Sequence, residues 1–511
     1  MNQQPQPSSE NNPSEAGDGL PSADVSTKGK TSWWLTLFKP KVGIPLAILI
    51  VLAAIPLVVR GWRIASLPPT DEPFDVDAFC SVTIPDEENA FVEYRQAFDL
   101  FVEDTATREE WNTQNLLKGE DWEKTPLAFK KWISANERSL EVWVEGTRKP
   151  KACWVPRKEV SDRGVEYGST VRSMARLAVM NAHQELHQNN STQAWVLLHS
   201  AFRFSRHIGQ EGVLNERILG TSILAIVTPG LLSWAHHPQT TATDLENAIT
   251  TLSDTYSELT SPHSVTLKYE YIALTKLLSE IRYRNEVFDD NLLIDTVAMF
   301  VLDEPDFSKA ALAHVFKNQL ACVDQDLASR PRWIPGSTDL FDIPASSTQE
   351  LSGNELAKAL AIAPAIVHLG GPLHLKQQLV SGEIERCFHA TMLAVLAIQH
   401  FVRLHGRFPQ SLEECAAPDS AEPFSDPCMS RYQPLIYNTD GNYAVVYSVG
   451  VDGIDDGHSP KPTDEKLTGK WSQLRGSPRE WFEGFRIPLW QPASDTKAGT
   501  SSPIEPDNVQ D

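Results

Sequence analysis

The sequence predicts a mainly α protein with a transmembrane anchor, a helical-hairpin ectodomain, and a long helix carrying a small antiparallel β module (α+β). Three observations predict it. Val42 to Val59 carries no charge. From Glu87 onward, apolar residues recur at helical spacing over most of the chain. Near the C-terminal end, Asn438-Thr439-Asp440-Gly441 separates two short strand-like runs, a hairpin signature. Composition bounds the rest. Of 511 residues, 41% are hydrophobic and 22% charged, enough apolar material for a core, so disorder of the whole chain is excluded. Lys plus Arg number 45 against 67 Asp plus Glu, a formal charge of −22. That balance excludes a nucleic-acid binder, which needs a cationic face to displace counterions.

Residues 1–31 read as a disordered cytoplasmic tail, because Met1 to Gly29 nearly lacks aliphatic and aromatic side chains. Residues 33–64 read as the anchor. An uncharged helix of about 18 to 20 residues spans the roughly 30 Å hydrocarbon layer. Pro45 and Pro56 sit near its two ends, and Trp33, Trp34 and Trp62 flank it where amphipathic rings favour the interface. Lys28, Lys30, Lys39 and Lys41 precede it, against Arg60 and Arg63 after it. The positive-inside bias puts the N-terminus in the cytoplasm and the bulk outside. A cleaved signal sequence would need an n-region of about 40 residues, far longer than usual.

A proline-rich acidic linker, Leu67 to Asp77, leads into a helical ectodomain over residues 78–328. Helices are expected at Glu87–Glu103, Thr125–Glu145, Leu214–Trp234, Thr243–Leu259, His263–Ile281 and Phe307–Leu327. Val171 to Ile208 reads as two antiparallel helices joined at Asn189-Asn190-Ser191-Thr192, a polar turn with a good N-cap. Leu219 to Leu232 is apolar, but Gly220, Thr221, Ser222 and Pro229-Gly230 shorten it, so it reads as a core helix rather than a second span. Residues 329–352, rich in Pro, Ser and Asp, read as a linker.

One pattern raises metal chemistry. His183 and His187 stand four apart on a helix, a zinc-compatible spacing. Glu185 occupies neither position that zinc peptidase motifs require, so the pair reads as part of the helical hairpin. His236-His237 reads as a helix-end pair whose imidazolium would suit the C-terminal dipole. No Gly-rich phosphate loop, nucleophile elbow or Cys-x-x-Cys occurs.

Residues 353–490 read as the long helix plus the β module, and residues 491–511 as a second disordered tail. Along the second part of that helix, Ile384, Cys387, Phe388, Thr391, Val395, Ile398 and Val402 form one face. Gly406 stops it, Pro409 prevents continuation, and Ser411 to Glu414 begins a further turn. Arg431 to Tyr437 and Tyr443 to Val449 read as the two strands. An aromatic stretch including Trp481, Phe485 and Trp490 is expected to pack back onto the module. Cys415 and Cys428 bracket a short loop-rich segment and are the pair expected to form a disulfide on an oxidising side of the membrane.

A long helix, then His405-Gly406-Arg407-Phe408-Pro409, Phe424-Ser425-Asp426-Pro427, an aromatic hairpin and Tyr447-Ser448-Val449-Gly450, resembles the C-terminal portion of major pseudopilins of type II secretion. The same ending occurs on uncharacterised bacterial single-pass membrane proteins with a helical ectodomain, which this chain resembles over most of its length. The resemblance implies a bacterial inner-membrane protein and a calcium ion in the acidic loop, held by Asp452 with Asp455 and Asp456. A solvated acidic turn is the alternative. No prepilin peptidase motif precedes Val42, which speaks against assembly into a filament. The expected function is a non-enzymatic, secretion-related interaction or scaffold role, with the lipid bilayer and other envelope proteins as partners. The alternative is an envelope hydrolase with a metal-dependent site drawn from His183, His187 and the acidic loop.

Overall fold

The computed structural model describes residues 40–65, 71–103, 122–160, 167–279, scattered positions between 309 and 324, and residues 371–415, 424–427, 433–449 and 485–488. It is mainly helical with a small antiparallel sheet. Two compact units divide the chain, Met1–Gly61 and Trp62–Asp511.

Helix α1, Pro40–Ala65, is continuous through Pro45 and Pro56 and rises about 39 Å. Most of its described apolar side chains are exposed, Ile50 at 59% and Leu52 at 59% among them.

In the larger unit, part of the expected linker is already folded. Asp75 accepts the Ala78 N–H at 2.9 Å and caps α2, Val76–Ser81. Phe74 packs edge-on against Phe79 and Tyr271. Helix α3, Phe91–Leu100, follows. The single helix expected over 125–145 is two, α4 (Leu127–Ala135) and α5 (Glu137–Thr147). Asn136 between them is fully buried, and its side chain bonds the Trp132 carbonyl and both backbone groups of Val102. An asparagine amide that captures backbone in this way competes with the helix ladder and breaks it.

The hairpin forms as expected from α6 (Gly168–His187) and α7 (Ser191–Gln210). Asn189 takes the left-handed conformation that ends α6, and the Asn190 side chain accepts the Gln193 N–H to open α7. Helix α8 runs from Leu214 to His236, through Pro229 and two residues beyond the expected end at Trp234. It crosses α7 so closely that a Cβ on Gly220 would stand 2.5 Å from the Ser205 carbonyl oxygen. The hydroxyls of Thr221 and Thr228 bond the carbonyls of Arg217 and Leu224 inside it. Helix α9, Ala242–Leu259, opens with a reciprocal Thr241–Asp244 capping box, and α10 spans His263–Ser279.

Helix α11, Gly371–His405, closes the helical part and serves two cores. Ile384, Phe388, Met392 and Leu396 join the main core with α3 to α9. Ala394, Val395, Ile398 and Val402 join a second core with Phe408, Leu435, Ala444 and Val446 of the β module. Gly406, at φ +67°, ends the helix as expected. Strands β1 (Ile436–Thr439) and β2 (Tyr443–Tyr447) pair antiparallel, Thr439 opposite Ala444. The Asp440 carboxylate accepts the N–H groups of Asn442 and Tyr443 across the turn. A third strand, β3 (Phe485–Pro488), pairs with the far edge of β2. The sequence pointed to this stretch packing back, but not to its strand.

Among the described residues, two helical segments are long and apolar enough to cross a membrane, α8 and Ile384–His405 of α11; the described apolar stretch of α1, Ala47–Val59, is shorter. Both lie mostly inside the protein, as the core-helix reading of α8 requires.

Candidate functional site

Five helices bring polar side chains into the main core at one place. Arg206 comes from α7, Arg217 from α8, Tyr256 from α9, His263 from α10, and Glu385 with His389 from α11. The side chains of Arg206, Arg217 and Glu385 are 4%, 3% and 1% exposed. Arg206 Nη1 stands 2.8 Å from Glu385 Oε1, and Arg217 Nε stands 3.7 Å from Glu385 Oε2. The Arg206 guanidinium lies over the Tyr256 ring at 5.3 Å, and His389 stacks on the same ring, with centroids 3.8 Å apart and planes inclined by 12°. A Cβ on residue 382 would strike the His263 ring, so α10 and α11 approach there only because position 382 is glycine.

The electrostatics follow from burial and pairing. Burial alone would push the Glu385 carboxyl up, but Arg206 and Arg217 beside it hold it down at about 2. Burial lowers His389 to about 4, with Arg206 adding to the effect. His207, one helical position beyond Arg206, is lowered to about 3 by burial and then by Arg203, and its Nδ1 lies 2.6 Å from the Tyr94 hydroxyl. These imidazoles are neutral at physiological pH.

Two further polar sites fasten the elements. Arg403 of α11 donates to the carbonyls of Ala235, His237 and Thr240 at the C-terminus of α8. Burial lowers both His236 and His237, with Arg403 contributing in each case, so the cation at this helix end is Arg403 rather than an imidazolium. In the β module, Asp426 is buried; it accepts the Ser448 hydroxyl at 2.7 Å and the Val449 N–H at 2.9 Å. Cys387 Sγ of α11 lies 3.3 Å from the same hydroxyl. Asp426 thereby fixes the end of β2 to the Phe424–Pro427 segment, and Ser448 carries the contact on to the long helix.

The residues expected to form sites are distributed differently. Asp452, Asp455, Asp456 and Cys428 lie outside the described residues. Cys415 is half-buried at the edge of the module core, and burial pushes its thiol up to about 12. His183 is buried whereas His187 is exposed, and among the described residues no three His, Cys, Asp or Glu side chains are placed to hold a metal ion. Arg206, Arg217 and Glu385 were not singled out by sequence. The available signal was a charge set inside an apolar stripe: Arg206 between Phe202 and Ile208, and Glu385 between Ile384 and Phe388. No family model, curated protein or solved structure matches the chain.

Proposed function

We propose that the protein is a single-pass anchor protein of a bacterial inner membrane, with its N-terminus in the cytoplasm and a helical ectodomain that acts as a non-enzymatic interaction or scaffold surface. The observation that carries the reading is α1: an uncharged apolar run inside a continuous helix, its side chains exposed and lysines concentrated before it. The scaffold role draws support from the destinations of the buried polar groups. Glu385, His207 and Asp426 are each engaged by partners that join one element to another.

The resemblance of the module to pseudopilins makes secretion the first process to examine. Calcium at Asp452, Asp455 and Asp456 and a Cys415–Cys428 disulfide belong to the same proposal. A hydrolase reading is less favoured because His183 and His187 face different surroundings.

Protease added to intact spheroplasts tests the topology. It should degrade the ectodomain and spare a tag at the N-terminus; a protected ectodomain would overturn the reading. A melt of the full chain that millimolar calcium does not move would remove the calcium part alone.

A further inference from the structure

Five residues separate Ala65, the end of α1, from Asp71, where a strap begins that is fastened to α10. The Tyr271 hydroxyl donates to Glu72 Oε2, and Lys309 Nζ stands 3.3 Å from Glu72 Oε1. Phe74 meets Phe79 and Tyr271 edge-on, and Phe79 meets Tyr269 in the same way with centroids 5.5 Å apart. Cations cover these rings. Lys268 Nζ lies 5.5 Å from the Phe74 centroid. Arg157, held by Glu211, lies 4.1 Å over Phe79 and donates to the Phe79 carbonyl.

This layer is separate from the rest of the protein. Of residues 71–81 only Phe79 is buried. Its core partners are Val160, Tyr269, Ile272 and Ala273, none of which belongs to either of the two larger cores. Helix α2 has six residues, far below the length at which a helix stands alone, so it owes its form to docking. The Glu72–Lys309 pair is half exposed, and such pairs hold weakly. An element with so little buried apolar surface opens locally while the main core stays closed.

We propose that residues 71–81 are a releasable latch that sets the length of the tether between α1 and the ectodomain. With the latch docked, the chain from Ala65 to Asp71 reaches at most about 20 Å. With the latch released, free chain extends to Val82 and its reach is about three times greater. The tether role rests on α1 crossing the membrane; the docking itself does not.

Glu72→Gln combined with Phe74→Ser removes the ion pair and the ring contacts and touches neither larger core. Two measurements on the full chain test the latch. In detergent micelles, amide hydrogen exchange should show residues 76–81 protected in the wild type and unprotected in the variant, with α6 to α9 protected in both. In a supported bilayer, neutron reflectometry should place the variant's ectodomain about 10 Å further out, the difference between the coil dimensions of the two tethers. Wild-type residues 76–81 that exchange as fast as a free peptide would overturn the proposal, as would a variant that keeps their protection. Loss of protection throughout the variant would show that the latch is not separable and would also overturn it. So would a released latch with the ectodomain at its wild-type distance. A chain that does not enter the bilayer would overturn the membrane reading and the tether role together, and exchange in micelles would still decide whether the strap docks.

Discussion

Helices α1 and α8 are both long and apolar and both contain proline, yet their side chains meet opposite surroundings. Leu49 to Leu52 of α1 are each more than half exposed, whereas Ile223, Leu224, Val227 and Leu231 of α8 are buried in the main core. Hydrophobicity alone does not separate the two. The polar residues do. Helix α8 carries Arg217, Thr221 and Thr228, and each has a partner inside the protein. The central part of α1 has nothing that a protein interior would need to satisfy, which suits a medium offering no hydrogen bonds.

The largest expected effect breaks α1 without touching α8. Ile50→Arg combined with Ile55→Arg places two charges near the middle of the proposed span, at about 3 kcal/mol each on insertion scales. The double variant should leave the membrane fraction on alkaline extraction, while the melt of the ectodomain keeps its midpoint.

Next in size is the charge that α8 shares with α7 and α11. Glu385→Ala strands two buried guanidiniums and should cost about 3 to 5 kcal/mol in denaturant unfolding. Replacing Arg206, Arg217 and Glu385 together by methionine should be neutral or stabilising, because the desolvation cost leaves with the charges.

A matched truncation then sharpens the contrast. Leu224→Ala in α8 opens a cavity in the main core and should cost about 2 to 4 kcal/mol. Leu52→Ala in α1 should leave the same melt unchanged, since that side chain lies 59% exposed.

The smallest effect is the share of acid sensitivity that His207 carries between pH 6.5 and 5, about 2 kcal/mol, and it belongs to the ectodomain. His207 is held neutral, with its folded value near 3 against about 6.5 when unfolded. Its contribution is therefore complete above pH 6.5. As pH falls from 6.5 toward 3 the unfolded chain binds a proton that the folded chain does not, and stability drops by about 1.4 kcal/mol per pH unit. His199 and His389, both lowered to about 4 by burial, act in the same direction over the upper part of that window. His207→Gln keeps a side-chain partner for Tyr94 and should make the midpoint fall less steeply between pH 6.5 and 5. An unchanged slope would mean that His207 does titrate in the folded chain.

The core was largely legible in the sequence because most helices bury one stripe and show it in their spacing; α6 and α7 are the clearest case. The charged junction was not. Arg206 and Glu385 each look like an ordinary interruption of a stripe, and neither gives any local sign of the other. The acidic loop was the site the sequence made most conspicuous, yet the described residue that fixes its approach is Asp426, whose partners are Ser448 and Val449.

Sequence alone determined the features settled within a few residues of chain: the Asn190 cap, the Thr241–Asp244 box, the stop at Gly406, the turn around Asp440, and the uncharged run in α1. Each depends on a hydrogen bond, a backbone conformation or a composition that neighbouring residues set by themselves. Tertiary structure decided the rest. It split the helix at Asn136 by offering Val102, put Arg403 rather than histidine on the end of α8, paired β3 with β2, and set two arginines around Glu385. In every such case the deciding partner is remote in the chain, and its energy exists only after the chain has brought the two together.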